Sequence, residues 1–321
     1  MNGAHSLLAT LTGNGVDVCF ANPGTSEMHV VAALDQVAGL RCVLGLFEGV
    51  ATGAADGYAR MIGRPAATLL HLGPGLANGL SNLHNAMRAE SPVVNVIGDH
   101  ATYHRRYDAP LTSDVEGTAR PFSHWVRTTP DADSIAADAA AAIAAARTAP
   151  GRVASLIVPA DAAWTPLAAV PSPAEAVVPA PPRVPDTAVG AAARILRSGQ
   201  PAGAAIACPG RKVIALESDG SGMYMPQALW THAREQLDIL TIVFANRKYQ
   251  ILRHELSNVG ATAGGPRAEA LMDLGRPDID WVSLARTFGI PAARAATADE
   301  LARHVRAGLA AEGPSLIEAV L

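Results

Sequence analysis

Aromatic side chains make up only 4% of this 321-residue chain, and charged ones only 17%. Lys and Arg number 25 against 29 Asp and Glu, a formal net charge of −4. The basic footprint that draws a protein to nucleic acid is therefore missing. Cysteine is scarce as well. Cys19, Cys42 and Cys208 stand far apart and form no Cys-x-x-Cys pair, so no disulfide framework is expected. Reduced thiols in a cytosolic protein are the simple reading. The opening residues Met1-Asn2-Gly3-Ala4-His5 lack the basic stretch and apolar run of a secretion signal. Asp, Arg or Gly interrupts each Ala-rich stretch before it reaches the roughly 18 apolar residues of a membrane helix. The expectation is a cytoplasmic protein with neither nucleic acid nor membrane as partner.

What is abundant is small and apolar: 49% hydrophobic residues and 29 glycines, on a chain long enough for two domains with real cores. Over residues 1–165 short apolar runs alternate with helical stretches. Strands are expected at 16–21, 41–46, 66–71, 93–97 and 153–158. Helices are expected at 26–36 (capped by Thr25 or Ser26), 49–61, 76–89 and 131–146. This alternation without hairpin turns predicts a parallel α/β sheet covered on both faces. Residues 166–186 hold Pro166, Pro171, Pro173, Pro179, Pro181, Pro182 and Pro185, the composition of an extended linker. A second α/β segment runs over 187–321. Its helices are expected at 187–197, 226–235, 279–289 and 297–311, the last opening on a Thr297/Glu300 capping box. Its strands are expected at 213–216, 239–244 and 315–320, which is few for an independent parallel domain.

Ligands of open parallel sheets bind where strands end at their carboxyl side. Ser218-Asp219-Gly220-Ser221 follows one expected strand and Asn246 follows the next. A carboxylate and an amide oxygen are hard donors that suit Mg²⁺ or Ca²⁺ together with phosphate oxygens. Gly220 would let a phosphate approach the backbone, and Ser221 could donate to it. Taken from Asp-Gly alone, an ordinary turn is the commoner explanation. A second candidate is Glu48, between a buried strand and a small-residue helix, where a carboxylate is costly to desolvate unless it serves a partner. The alternative is a glutamate stabilised by the helix N-terminus. The third is His71, before the expected turn Gly73-Pro74-Gly75 and facing the Asn22-Pro23-Gly24-Thr25 turn. Beside a buried glutamate it becomes a candidate for proton transfer. His100 and His104, with Arg105 and Arg106, lack a third ligand and read as a solvated loop.

Together these residues resemble the thiamine-diphosphate enzymes of the acetolactate synthase, benzoylformate decarboxylase and pyruvate decarboxylase group. Asn22-Pro23-Gly24-Thr25-Ser26-Glu27 is similar to the family's first turn. Glu48, followed by Ala55-Asp56-Gly57-Tyr58-Ala59-Arg60, matches the glutamate that contacts the cofactor's pyrimidine ring. Gly73-Pro74-Gly75 through Asn78 resembles a synthase segment, and Ser218-Asp219-Gly220-Ser221 through Asn246 resembles the diphosphate motif. The resemblance implies thiamine diphosphate and Mg²⁺, with Asp219, Asn246 and the Lys248 carbonyl as metal ligands. Asn22, Pro23, Gly24, Thr25, Glu48, Gly73, Asn78, Gly220, Ser221 and Tyr249 would line the cofactor, and Glu48 and His71 would be catalytic.

The sequence departs from that pattern in places. Ser218 and Ala245 replace a glycine and an asparagine of the diphosphate motif. His71 resembles the decarboxylase branch, and Gly98-Asp99-His100 stands where synthases carry Gly-Gln. The largest departure is length: after Arg197-Ser198-Gly199-Gln200-Pro201 the chain passes directly to Ala202-Gly203-Ala204. The family's middle domain and the start of its diphosphate domain have no counterpart here.

The resemblance thus implies a pyrimidine-binding half over 1–165, the linker 166–186, and a truncated diphosphate-binding half over 187–321. It implies an acetolactate synthase-like homodimer or homotetramer acting on a 2-oxo acid. The alternatives are a benzoylformate-type decarboxylase and a catalytically inactive remnant or binding module. Without the middle domain, no flavin is expected.

Overall fold

The computed structural model describes residues 1–168, 173–178, 201–258 and 266–321. The helix expected at 187–197 and much of the expected linker lie outside the described residues. The chain divides into two compact units, Met1–Cys208 and Pro209–Leu321.

The first unit is built on a six-stranded parallel sheet in the order β2–β1–β3–β4–β6–β5. Its strands are β1 Val18–Asn22, β2 Arg41–Leu44, β3 Ala66–Leu70, β4 Val93–Asp99, β5 Trp125–Thr128 and β6 Val153–Pro159. β3, β4 and β6 are buried at every residue, as a sheet covered on both faces requires. Helices α1 Gly3–Gly13, α2 Met28–Ala33 and α6 Ile135–Arg147 bring Leu7, Leu8, Leu11, Val30, Ile135 and Ile143 onto one face. Each such aliphatic side chain removed from water contributes about 2 kcal/mol. Helices α3 Glu48–Ile62 and α4 Leu72–Arg88 pack on strands β1, β3 and β4. The short helices α5 Val115–Ala119 and α7 Ala160–Trp164 complete the run to residue 168.

Several polar groups inside this unit are paired with one another. Thr68 Oγ1 donates to Asn95 Oδ1 at 2.6 Å and Asn95 Nδ2 to Ser155 Oγ at 3.0 Å, a hydrogen-bond line across β3, β4 and β6. The 55–60 segment is structural in the same way. Arg60 grips the buried Asp56 with two bonds of 2.7 and 2.6 Å, and Ser91 Oγ donates to the same carboxylate. Tyr58 donates to Asp17 at 2.7 Å, and burial followed by that carboxylate pushes its hydroxyl up to about 12.

Helix α8 Pro201–Ala207 belongs to the first unit. It packs on α3 through Gly203, where a β-carbon would lie 2.0 Å from the Ala54 carbonyl oxygen.

The second unit carries four parallel strands in the order β7–β8–β10–β9, one more than expected. They are β7 Val213–Ser218, β8 Ile239–Ala245, β9 Ala292–Ala295 and β10 Ser315–Val320. The helices are α9 Asp219–Gly222, α10 Gln227–Arg234, α11 Gln250–Asn258, α12 Pro266–Met272, α13 Trp281–Thr287 and α14 Ala298–Ala310. On one face Leu229 and Trp281 pack with Val243 and Leu316; on the other, Leu301 and Val305 of α14 cover Leu240, Ile242 and Ile317. Glu318, fully buried in β10, is paired with Arg294 at 2.9 Å.

Several local expectations are corrected. The helix expected at 26–36 is a 3-10 turn, Thr25–Glu27, followed by the shorter α2. Its entry is held by the Glu27 carboxylate on Gly24 N–H rather than by Thr25 or Ser26. Gly73-Pro74-Gly75 is no turn but lies in the first turn of α4. Proline fits there because the first N–H groups of a helix have no intrahelical acceptor to lose.

Candidate functional site

In the first unit the carboxyl ends of β2, β1, β3 and β4 lie side by side, and the sequence candidates fall at these ends. Asn22 closes β1 opposite Leu70 of β3. Pro23 and Gly24 are half-buried and Thr25 is exposed in the turn that follows. Glu48 opens α3 just beyond β2 and is 6% exposed. Asn78, on α4, donates to Glu48 Oε2 at 2.9 Å. His71 follows β3, and Leu72 after it takes φ = 53°, a left-handed conformation that costs a non-glycine residue about 1–3 kcal/mol. Such a turn persists only where surrounding packing enforces it, and it sets the direction of His71.

The structure also brings in a residue to which the sequence reading gave no role. Glu27 is 1% exposed, and its Oε2 lies 2.8 Å from His71 Nδ1 while accepting the Gly24 N–H at 2.7 Å. Burial pushes the Glu27 carboxyl up, with Gly24 and His71 pulling the other way. Its Oε1 is buried without a hydrogen-bond partner. The group is packed closely: a β-carbon at position 98 would fall 1.7 Å from Glu27 Oε1, and one at position 24 would fall 2.4 Å from the His71 ring. The available signal was the glutamate three residues after Gly24, the spacing of a carboxylate that reaches back to cap its own turn.

Gly75 touches both halves of this arrangement, its missing β-carbon leaving 3.0 Å to Glu48 Oε1 and 3.3 Å to His71 Cβ. Gly73 instead makes room for Ser113 on the other side of the helix. His100 and His104 lie in a loop where Arg105 pairs with Asp99 at 2.7 Å. Among the described residues no group of three or more His, Cys, Asp and Glu could hold a metal.

The second unit has its own cluster where β7 and β8 end. Asp219 is 3% exposed. Its Oδ1 accepts Gly220 N–H at 2.9 Å and its Oδ2 accepts Arg247 N–H at 2.5 Å, which ties the β7 exit to the β8 exit. Arg247 takes φ = 57° and sits between Asn246 and Lys248. Asn246 Oδ1 accepts Lys248 N–H at 3.0 Å, and the Lys248 carbonyl accepts Gln250 N–H at 3.0 Å. Gly220 accommodates the Tyr249 ring, whose Cε1 would lie 2.4 Å from a β-carbon there. Ser221 Oγ donates to Glu217 at 2.9 Å.

A buried carboxylate held by backbone donors suits a cation. The oxygen donors of Asp219, Asn246 and Lys248 fit a hard divalent ion, each having a second lone pair beyond its present bond. The nearly buried Glu48 carboxylate, oriented by an amide donor, fits a ring nitrogen that exchanges a proton.

Residues 1–122 match the family described as thiamine pyrophosphate enzyme, N-terminal TPP binding domain, and residues 198–319 match its C-terminal TPP binding domain. The Mycobacterium tuberculosis protein IlvX, named for an acetolactate synthase large subunit, is 36% identical over an alignment of 515 positions. That alignment spans all of this chain and 99% of IlvX, so gaps bridge the positions beyond the 321 residues present here. A benzoylformate decarboxylase of Pseudomonas aeruginosa is 34% identical over 113 residues, 35% of this chain and 21% of that protein. A solved thiamine diphosphate-dependent 4-hydroxybenzoylformate decarboxylase of Rhodococcus jostii RHA1 shares the fold, with a TM-score of 0.81 at 16% identity over 99% of this chain and 98% of that one. No helix among the described residues is long and apolar enough to cross a membrane.

Proposed function

Because the chain belongs to the thiamine pyrophosphate enzyme family, we propose that it is a thiamine diphosphate- and Mg²⁺-dependent enzyme acting on a small 2-oxo acid, with acetolactate synthase-like decarboxylation and carboligation. The observation that carries this reading is Glu48, a buried carboxylate at the N-terminus of α3 that Asn78 holds in one orientation. Thiamine diphosphate, when bound, supplies an acidic ring carbon and an electron sink for the loss of CO₂. Glu48 would hold the pyrimidine ring and keep or release a proton at its carboxylate, with Asn78 fixing Oε2. Asn22, Pro23, Gly24 and Thr25 would line the same side. Asp219, Asn246 and the Lys248 carbonyl would hold Mg²⁺, and Gly220, Ser221 and Tyr249 would lie along the diphosphate. In the proposed assembly, a homodimer or homotetramer, the Glu48 side of one copy faces the partner's Asp219 side.

A second reading, simple decarboxylation in the benzoylformate decarboxylase manner, is favoured by the His71–Glu27 contact. An imidazole anchored by a buried carboxylate is oriented for proton delivery. Glu27 then acts as a positioning residue.

Titration calorimetry with thiamine diphosphate and Mg²⁺, followed by product analysis, tests both readings. Binding together with acetolactate from pyruvate supports the first. Benzaldehyde from benzoylformate without acetolactate selects the second, and no binding at all removes both in favour of an inactive remnant.

A further inference from the structure

Among the described residues no strand pairs with the outer edge of β7, and part of its apolar face is exposed. Val213 N–H bonds to Asp238 O on the β8 side, so strand alternation turns the N–H groups of Ile214 and Leu216 towards the free edge. The same two residues pair in register with Leu240 and Ile242 of β8 and therefore point to the face that α14 covers. There the cover stops short. Leu240 and Ile242 are buried, whereas Ile214 is 50% exposed and Leu216 65%. A parallel sheet normally has both faces covered, and an open edge with exposed aliphatic residues invites another strand.

We propose that β7 is the contact through which a second copy of this chain adds to the sheet, in antiparallel pairing about a two-fold axis at Ala215. The strand is self-complementary in this arrangement. Outward-facing residues must oppose one another, and a dyad at Ala215 sets Ile214 against the partner's Leu216 and Leu216 against the partner's Ile214. Each pair exchanges both backbone hydrogen bonds. The four aliphatic side chains fall on one face and extend the cluster under α14. Charge agrees with this direction: exposed Arg211 at the start of one strand approaches the partner's Glu217, an opposite-charge match that a parallel arrangement would lose, while Lys212 stays paired with Asp238 of its own chain. This contact is separate from the one proposed between the Glu48 and Asp219 sides, and it does not depend on the cofactor.

The test is the mass of the full chain by light scattering over a concentration series, for the wild type, Ile214→Pro and Leu216→Lys. Proline at 214 removes a donor that faces away from β8, so the ladder to β8 stays intact. Lysine at 216 replaces an exposed side chain, keeps the strand foldable and places like charges across the axis. Both variants, with unchanged far-ultraviolet circular dichroism, are expected to halve the wild-type mass. Hydrogen exchange at the Leu216 amide should be slow in concentrated wild type and fast on dilution. Should Ile214→Pro fail to fold, Leu216→Lys alone gives the answer. A monomeric wild type, an unchanged mass in folded Leu216→Lys, or a Leu216 amide protected in the monomer would each overturn the proposal.

Discussion

In the first unit side chains reach the candidate carboxylates, Asn78 on Glu48 and His71 on Glu27, whereas among the described residues the hydrogen bonds to Asp219 come from the backbone N–H groups of Gly220 and Arg247. The sheets differ in the same sense: β3, β4 and β6 are buried throughout, while β7 shows half of its side chains to solvent. Both units nonetheless use one device at the site, a non-glycine residue in the left-handed region just after a strand, Leu72 in one and Arg247 in the other. The geometry of the first cluster is thus set by the chain itself. That of the second rests on backbone donors at the two strand exits.

The largest expected effects come from exchanging the two carboxylates' roles. Glu48→Gln keeps the shape and the Asn78 contact but removes the exchangeable proton, and turnover is expected to fall about 10²–10⁴-fold with metal-dependent binding of thiamine diphosphate retained. Asp219→Ala should instead abolish that binding in calorimetry. The contrast breaks if Asp219→Ala binds as the wild type does, or if Glu48→Gln keeps full turnover.

Acid separates the units next. His232 in α10 is fully buried with no partner for Nε2, and burial lowers its value from 6.5 to about 4. The unfolded chain takes up this proton first as pH falls, so its contribution is complete above about pH 6.5 and lost towards pH 4, roughly 3 kcal/mol in all. Glu27 has the opposite sign. Its raised value means that its burial is least costly at low pH and weighs on the first unit as pH rises through that value. Urea unfolding at pH 7 and pH 4.5 should therefore show acid weakening the second unit. His232→Leu is expected to remove most of that loss, and an equal loss in the variant would place the acid sensitivity elsewhere.

A smaller effect probes the helix contact within the first unit. Gly203→Ala places a methyl group where the Ala54 carbonyl already lies, and α8 must lift from α3 at a cost of about 1–3 kcal/mol. The expected result is faster exchange of amides in α8 with those of the second unit unchanged. Equal protection in the variant would mean that α8 is not held by this crossing.

How much of this was legible in the sequence follows from what each residue can signal by itself. Mostly apolar runs announced β4, β6 and β8, and the Thr297/Glu300 pair announced α14, since those signals are local. Helix α1 was missed because its glycines and threonines are weak helix formers; buried Leu7, Leu8 and Leu11 hold it. Strand β5 was missed because its four residues include Arg127 and none is buried, so they make no apolar run, and β9 for the same kind of reason as α1. Ala292–Ala295 has low strand propensity and becomes a strand only by pairing with β10. At the site, Glu48, His71, Asp219 and Asn246 stood out by their places at strand ends. Glu27 did not, because its significance lies in a contact with His71 that joins β1 to β3 and spans 44 positions of sequence. The contact of Gly220 with Tyr249 had a similar limit: nothing local showed that the ring would pack there.

The smallest effects give the finest comparison, because the two units carry matched helix caps. Asn2 Oδ1 accepts His5 N–H at the start of α1, and Thr297 Oγ1 accepts Glu300 N–H at the start of α14. Loss of either side-chain acceptor costs about 1 kcal/mol. Asn2→Ala should speed amide exchange in α1, and Thr297→Ala should do so in α14. The magnitudes need not be equal. Asn2 also meets His5 Nδ1 at 2.7 Å, and α1 is buried along one side by Leu7, Leu8 and Leu11, so its cap is one support among several. In α14 Gly308 is the one buried residue, and the cap with its reciprocal Glu300–Ala296 bond carries a larger share. Thr297→Ala is therefore expected to give the greater loss of protection. The reverse order would show that the open second unit holds its helices more firmly than its burial suggests.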